Sequence, residues 1–423
     1  MFCSAGIGDL ALRASGFDVL LASELRENRA QIFKHNYPDT DMIVGDIWTL
    51  QKEIVQRTKA RLSGGTLDLL FATPPCQGMS KNGKGRLLRS IREGKKSKFD
   101  PRNRLIIPLM KIAQSLQPSV LMLENVPEME STVILDAEEQ PISVLDYMAK
   151  ELGSNYTGAW KVIEFADFGV PQRRKRLITI FTRHPQIKKG LENNTFFPKE
   201  THSGNKNKGL LPWVTVRDAI ADVPKLDSRT KETSTCTRIP FHNVSVMKPK
   251  HYFWVSHTPP ESKAFNNQCI NPDCLFDQNT IHGSSKDKHG INKANTSTPI
   301  FCERCHALLP RPSVEENGVI RLMKGYTSAY SRMSWDLPAN TLTTNFTYAC
   351  SDTNLHPEQH RVLSLYEALI LHTIIDFSYE WERSDQKKVP NALIKTCIGE
   401  SIPPRGLLVL FRRVFQMLQN AKT

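Results

Sequence analysis

The stretch Asp68-Leu-Leu-Phe-Ala-Thr-Pro-Pro-Cys-Gln-Gly78 decides what kind of fold this chain takes. An apolar run halted by two prolines is a strand that stops, because proline brings no donor to a ladder. It delivers the next residue, Cys76, to the edge of a sheet. A second apolar run, Val120-Leu-Met-Leu-Glu124, ends in the same way on a carboxylate, before Asn125-Val-Pro127. Around these two, apolar runs predict strands over 19–22, 67–72, 120–124, 160–165 and 177–181. Helical periodicity predicts helices over 9–15, 26–36, 105–116 and 142–152. Such alternation argues an α/β fold with a mainly parallel, doubly wound sheet. Ligands of these sheets sit beyond the carboxyl ends of the strands, where Cys76 and Glu124 both fall.

The chain has 423 residues, enough to bury a full core and to hold two domains. A hydrophobic content of 39% and a mean hydropathy of -0.38 read as soluble and globular. No apolar run approaches the roughly 18 residues of a membrane span, and Met1-Phe-Cys-Ser-Ala-Gly6 lacks the features of a signal peptide. The expectation is a cytoplasmic protein without membrane contact. Lys and Arg number 56 against 43 Asp and Glu, a net charge of +13. Solubility alone accounts for such an excess, but its location is telling. Residues 81–104 hold ten Lys or Arg against Glu93 and Asp100, directly after Cys76. A basic run beside a candidate nucleophile points to nucleic acid, whose phosphates it would neutralise.

The pattern changes along the chain. Residues 1–185 carry the α/β alternation. Residues 186–330 are rich in Asn, Lys, Ser, Thr and Pro, yet include Trp213, Tyr252 and Trp254, which argues a second, small irregular domain rather than a linker. Residues 331–423 are regular again, with helices expected over 363–371 and 404–418, the latter opened by Pro404. Four of the nine cysteines cluster in the middle part as Cys269-x4-Cys274 and Cys302-x2-Cys305, 27 residues apart. Two close pairs suit a four-thiolate structural zinc, with free thiols as the alternative and His289 and His306 as substitute ligands. Lys286, Lys288 and Lys293 nearby would meet phosphates.

The opening Phe2-Cys-Ser-Ala-Gly-Ile-Gly-Asp-Leu10 predicts a cofactor turn. Gly6 and Gly8 allow a ligand close to the backbone, although a simple strand–helix turn uses glycines too. Two acids add weight: Glu24 after one strand could hold ribose hydroxyls, and Asp46 after another could take an adenine amino group. No lysine follows to cradle phosphates, so a nucleoside without them fits, such as S-adenosylmethionine.

At the other end of the cleft the residue types suit attack on a pyrimidine. A thiolate is a strong nucleophile, and neighbouring cations favour it. Carbon 5 of cytosine is barely nucleophilic until a thiolate adds to carbon 6. That addition needs ring nitrogen 3 protonated or hydrogen-bonded, which suits a buried Glu124 with a raised pKa. A buried small hydrophobe is the ordinary role of a cysteine, and a cap or salt bridge that of a glutamate.

In order, Phe2-Cys-Ser-Ala-Gly-Ile-Gly-Asp9, Glu24, Gly45-Asp-Ile47, Pro74-Pro-Cys-Gln77, Glu124-Asn-Val126, Phe168-Gly-Val-Pro-Gln-Arg-Arg-Lys-Arg176, Arg332-Met-Ser-Trp-Asp-Leu-Pro338, His356-Pro-Glu-Gln-His360 and Ile398-Gly-Glu-Ser-Ile-Pro403 span nearly the whole chain. This ordered set resembles the cytosine-5 DNA methyltransferase family, bacterial type II-like. The resemblance implies a Rossmann-like class I methyltransferase fold carrying a target recognition domain, with 331–423 returning to the catalytic domain. It implies Cys76 as covalent nucleophile, Glu124 on ring nitrogen 3 and the exocyclic amine, and Arg174 and Arg176 holding the base and supporting the catalytic loop. Phe2, Gly6, Gly8, Glu24, Asp46, Pro74 and Ser401 would bind S-adenosylmethionine, and Arg332 and Pro338 would brace the recognition domain. The target base must leave the duplex to meet Cys76, at a few kcal/mol, with the basic loop closing as a lid on Gly78, Gly83 and Gly85.

Two positions depart from the family. Asp9 stands where many relatives have another glycine and is expected to serve as a helix N-cap. Glu400 stands where an asparagine is usual. The resulting expectation is a monomeric DNA (cytosine-5-)-methyltransferase acting on duplex DNA within a bacterial cell, in restriction–modification or phage defence. An RNA cytosine methyltransferase and a catalytically idle DNA-binding relative are the alternatives.

Overall fold

A computed structural model describes residues 1–75, 101–205, 209–286, 292–295, 297–323 and 327–419. Cys76 and the residues that follow it through Asp100, with Lys288 and His289, lie outside the described residues.

The strands are β1 (Leu21–Glu24), β2 (Asp41–Val44), β3 (Leu69–Ala72), β4 (Val120–Asn125), the hairpin pair β5 (Val133–Leu135) and β6 (Pro141–Ser143), β7 (Thr157–Glu164) and β8 (Lys175–Thr182). β1 and β2 pair in parallel, as do β3 and β4. β8 runs antiparallel to both β4 and β7, so the expectation of a mainly parallel sheet holds only for its first half. The cause is local. β7 and β8 are joined by a short connection built on a single 3-10 turn, Phe165–Phe168, which reverses the chain without a crossover helix.

Residues 1–3 join the two halves. Met1 N donates to Phe71 O at 2.7 Å, Thr73 N to Met1 O at 3.3 Å, and Cys3 N to Ser23 O at 3.2 Å. The backbone thus runs in the order β2, β1, residues 1–3, β3, β4, β8, β7, with the carboxyl ends of β1, β3 and β4 at one edge.

β4 is buried along its whole length, and its alternate residues serve two cores. Leu121 and Leu123 pack with Ile54, Ile107, Met110 and Met148 from the helices Ile47–Leu62, Ile106–Leu116 and Val144–Leu152. Val120 and Met122 pack with Ala11, Leu407, Phe411 and Val414 from Ile7–Ala14 and Pro404–Gln419. Each such apolar side chain contributes roughly 1.5–3 kcal/mol by leaving water. The helices over 26–36, 105–116, 142–152, 363–371 and 404–418 lie within two residues of expectation at each end. Ile47–Leu62 was not foreseen, because only Ile47, Ile54 and Thr58 are buried along its polar length.

The first helix begins earlier than expected. Its N-cap is Gly6 at φ 83°, and Asp9, expected as the cap, is buried inside the first turn. Gly6 is demanded twice: a side chain would be strained at that φ, and a Cβ would come within 2.4 Å of the Tyr37 ring.

Beyond β8 the chain is irregular, with short pairs such as Ser313–Glu316 against Val319–Leu322. Its return to the sheet is anchored by Ala339 N to Pro171 O at 3.0 Å and Arg173 N to Ala339 O at 2.8 Å. Arg332 is buried and reaches four carbonyls, of Thr258, His356, Gln359 and Val255, at 2.6–3.0 Å. Gly399 permits a close approach, since a Cβ there would lie 2.4 Å from Thr344 N. The helix Asn391–Glu400 therefore presses on residues 343–344 and brings Glu400 and Ser401 to the carboxyl edge of the sheet.

Candidate active site

One open cleft of about 1810 Å³ runs along that edge. Phe2, Gly8, Glu24, Asp46, Pro74, Glu124, Arg174, Arg176 and Ser401 all line it, so the sequence-derived candidates converge. Gly6 lies just behind, its carbonyl taken by the Tyr37 hydroxyl at 2.6 Å.

At one end Glu24 is buried and each oxygen accepts one backbone bond, Oε2 from Ser4 N and Oε1 from Arg26 N, both at 3.0 Å, which leaves further acceptor sites. These bonds fix the carboxylate at the mouth of the glycine turn. Phe2 at φ 59° and Ser4 at φ 51° are both left-handed, so the segment 2–6 curls into a concave loop. Gly8 has no packing reason to lack a side chain, since a Cβ there would meet nothing nearer than Leu407 Cδ1 at 3.5 Å. A glycine inside a helix costs about 1 kcal/mol against alanine, and Gly8 borders the cleft. Leu25 is 64% exposed and lines the same wall, an apolar surface for a flat ring. Asp46 caps the helix after it, Oδ1 accepting from Trp48 N at 3.0 Å. A buried carboxylate, a bare glycine and an exposed apolar face suit a nucleoside, so the residues present fit S-adenosylmethionine.

At the other end Glu124 is 6% exposed. Burial pushes its carboxyl pKa up, and Arg176 and then Arg174 hold it partly down. Arg176 Nε lies 2.8 Å from Glu124 Oε1. Asn125, next on β4, donates from Nδ2 to Pro74 O at 3.1 Å. The chain leading to Cys76 is thereby tied to the strand end that bears Glu124.

Arg174 is placed differently from Arg176. It is fully buried, with Nη1 donating to Leu342 O at 2.9 Å and Nη2 to Gly399 O and Ser401 O at 3.1 and 2.6 Å. Ser401 Oγ meets His372 Nε2 at 2.9 Å, and Gln172 Nε2 meets His372 Nδ1 at 3.1 Å. Burial, with Arg174 and Arg176 beside it, keeps that imidazole neutral, well below its ordinary range.

Several site residues carry no signal in the sequence. Ser4 and Leu25 are ordinary types made relevant by a loop and by exposure. Arg29 is buried on the helix Glu27–Asn36 and its Nη2 lies 2.7 Å from Glu400 Oε2. That ion pair neutralises the carboxylate that departs from the family pattern. Within the basic run, Arg104 is held by Asp136 O at 3.0 Å and Glu139 at 3.1 Å.

Away from the cleft, the four cysteines Cys269, Cys274, Cys302 and Cys305 converge, their sulfurs all within 4.8 Å of one another. Cys269 and Cys305 are 3.6 Å apart, and Cys274 and Cys302 are 3.9 Å apart. His306 is not among them. No helix among the described residues is long and apolar enough to cross a membrane.

Comparison with known proteins bears on the family and the fold. The chain is 28% identical over 425 residues to the type II methyltransferase M1.HgaI of Avibacterium volantium, spanning 98% of this chain and 97% of that one. It is 29% identical over 299 residues to M.NgoPII of Neisseria gonorrhoeae, spanning 69% and 76%. The structure of Entamoeba histolytica methyltransferase EhMeth superposes with a TM-score of 0.51 at 13% identity, over 99% and 97% of the two chains, a likeness of fold. The model of C-5 cytosine-specific DNA methylases matches residues 1–416. With that match running almost end to end, the chain belongs to the C-5 cytosine-specific DNA methylase family and has its class I methyltransferase fold.

Proposed function

We propose that this enzyme methylates carbon 5 of a cytosine flipped out of a short duplex DNA site, as the modification arm of a restriction–modification or phage-defence system. The observation that carries the reading is the Glu124–Arg176 pair at the carboxyl end of β4, in one cleft with Glu24 and the Gly6–Gly8 turn.

The reaction follows from the side chains. Cys76, two residues beyond Pro74, would add its thiolate to carbon 6 of the base. Glu124, pushed toward its protonated form by burial, would hold ring nitrogen 3 and draw electron density from the ring, while Arg176 fixes its orientation. Carbon 5, now enamine-like, becomes the nucleophile. S-adenosylmethionine, held by Phe2, Gly6, Gly8, Glu24, Asp46, Pro74 and Ser401, would supply an electrophilic methyl group and leave as S-adenosylhomocysteine. Loss of the carbon 5 proton to a base and expulsion of the Cys76 thiolate restore the aromatic ring. Arg174 acts as a positioning residue, since its donors hold the backbone of 342, 399 and 401.

Residues 1–185 and 331–423 would form the catalytic domain and 186–330 the target recognition domain, with a structural zinc on Cys269, Cys274, Cys302 and Cys305. The basic segment after Cys76 would close over the phosphates, and the enzyme would act as a monomer. Incubation of the purified protein with duplex DNA and S-adenosylmethionine, read by bisulfite sequencing, is expected to show 5-methylcytosine confined to one short sequence. Unmodified DNA, or modification of RNA alone, would overturn the proposal.

A further inference from the structure

The cysteine quartet has an unusual neighbour. Arg311 is fully buried. Its Nε donates to Asn267 O at 2.8 Å, and its Nη1 to Thr280 O at 2.9 Å and Pro299 O at 2.8 Å. Those carbonyls lie just before Cys269, after Cys274 and just before Cys302. One guanidinium therefore ties together the three stretches of chain that carry the cysteines. Its Nη2 is buried and has no hydrogen-bond partner. Among the described residues, no carboxylate lies within ion-pair distance of it. The carboxylate that acts on it, Glu303, is exposed and is taken up by Thr280 N at 2.6 Å.

A buried cation without a counter-charge is expensive. A zinc ion on four thiolates carries a net charge of -2, and two of these thiols, Cys269 and Cys302, are buried. The sulfurs are spaced for one: zinc–sulfur bonds of about 2.3 Å in a tetrahedron set the sulfurs about 3.8 Å apart, against 3.6 and 3.9 Å here. The apolar cluster around them is small, with Leu309 and Phe276 beside the cysteines, too little to hold an irregular segment by burial alone.

Resting on the reading of the quartet as a zinc site, we infer that Arg311 is the counter-ion and clamp of that centre, so that metal loading and ordering of residues 267–311 are one linked equilibrium. The positive charge offsets the tetrathiolate, and the three carbonyl bonds hold the knuckles at the spacing the metal needs. Partners outside the ligand shell commonly shift metal affinity by about 10–100-fold.

The test uses the full-length protein, its Arg311→Lys variant, which keeps the charge, and its Arg311→Met variant, which does not. Metal content is measured by mass spectrometry, cobalt loading by its thiolate charge-transfer bands, and zinc affinity by chelator competition. Wild type is expected to hold about one zinc per chain. Arg311→Met should hold it about 10–100-fold more weakly, with Arg311→Lys between the two and S-adenosylmethionine binding unchanged in all three. A wild-type protein that takes up neither zinc nor cobalt would remove the zinc site itself. A wild type that holds zinc while Arg311→Met holds it as tightly would remove the role of Arg311 and leave the site standing. Should Arg311→Met fail to fold, limited proteolysis of chelated wild type decides: selective cleavage within 267–311 supports the linkage, and unchanged resistance there overturns it.

Discussion

Arg176 Nε lies 2.8 Å from Glu124 Oε1, and both side chains are nearly buried at the carboxyl end of β4. Burial and the arginine pull the carboxyl in opposite directions, and burial prevails. The group is thus held closer to its protonated form than a surface glutamate, yet fixed in direction. Glu124→Gln keeps the shape and removes the ionisable carboxyl group. Its turnover should fall by about 10²–10⁴-fold, with S-adenosylmethionine affinity within a few-fold of wild type by calorimetry. Near-normal turnover would remove Glu124 from the chemistry.

Gly8 separates a cofactor role from a folding role. Its Cβ would meet nothing nearer than 3.5 Å, and alanine is the better helix former by about 1 kcal/mol. Gly8→Ala should leave the melting temperature unchanged or raised while weakening S-adenosylmethionine binding at least several-fold. Equal weakening of both would show that the glycine serves packing after all.

That end of the cleft was legible because its residues stand out by type and order: a glycine turn, then acids after successive strands. Pro74, Glu124, Ser401 and the other cleft-lining candidates were likewise found in their expected region. What escaped was set by contacts distant in sequence. Arg29 gains meaning only from Glu400; Arg174 was named from the sequence, but its bonds to the carbonyls of Leu342, Gly399 and Ser401 were not. The antiparallel β8 escaped because an apolar run has the same appearance in either direction. Asp9 escaped because Gly6 could start the helix three residues sooner.

Asp9 has a pH signature. Burial raises its pKa from 3.8 to about 6, against the opposing pull of the N-terminal ammonium. The folded state therefore holds a proton that the unfolded chain has lost between those two values, and this site makes stability fall as pH rises through that window. Asp9→Asn removes the effect. The melting temperature of the variant minus that of wild type should grow from pH 4 to about pH 6 and then level off. A difference that stays flat, or shrinks, contradicts the assignment.

Arg361 and Glu367 form an ion pair with both side chains fully buried, two bonds at 2.7 Å, and Glu367 also caps Ser364 N at 2.8 Å. Burial alone would raise the Glu367 pKa, but the Arg361 bonds outweigh it and hold it below the ordinary 4.5. Glu367→Ala leaves a buried guanidinium unpaired, a loss of about 3–5 kcal/mol, to be read from chemical denaturation. A loss below about 1 kcal/mol, the range of an exposed pair, would show that the pair is hydrated in solution.

The central claim is that Cys76 attacks a flipped cytosine whose ring Glu124 holds. A duplex carrying 5-fluorocytosine at the target position stalls the reaction after methyl transfer, because the fluorine cannot leave as a proton does. With S-adenosylmethionine present, wild type should form a protein–DNA adduct that survives denaturing electrophoresis, with Cys76 as the modified residue by mass spectrometry and no adduct from Cys76→Ser. An adduct formed equally well by Cys76→Ser, or none from a wild type that methylates ordinary DNA, would contradict the mechanism.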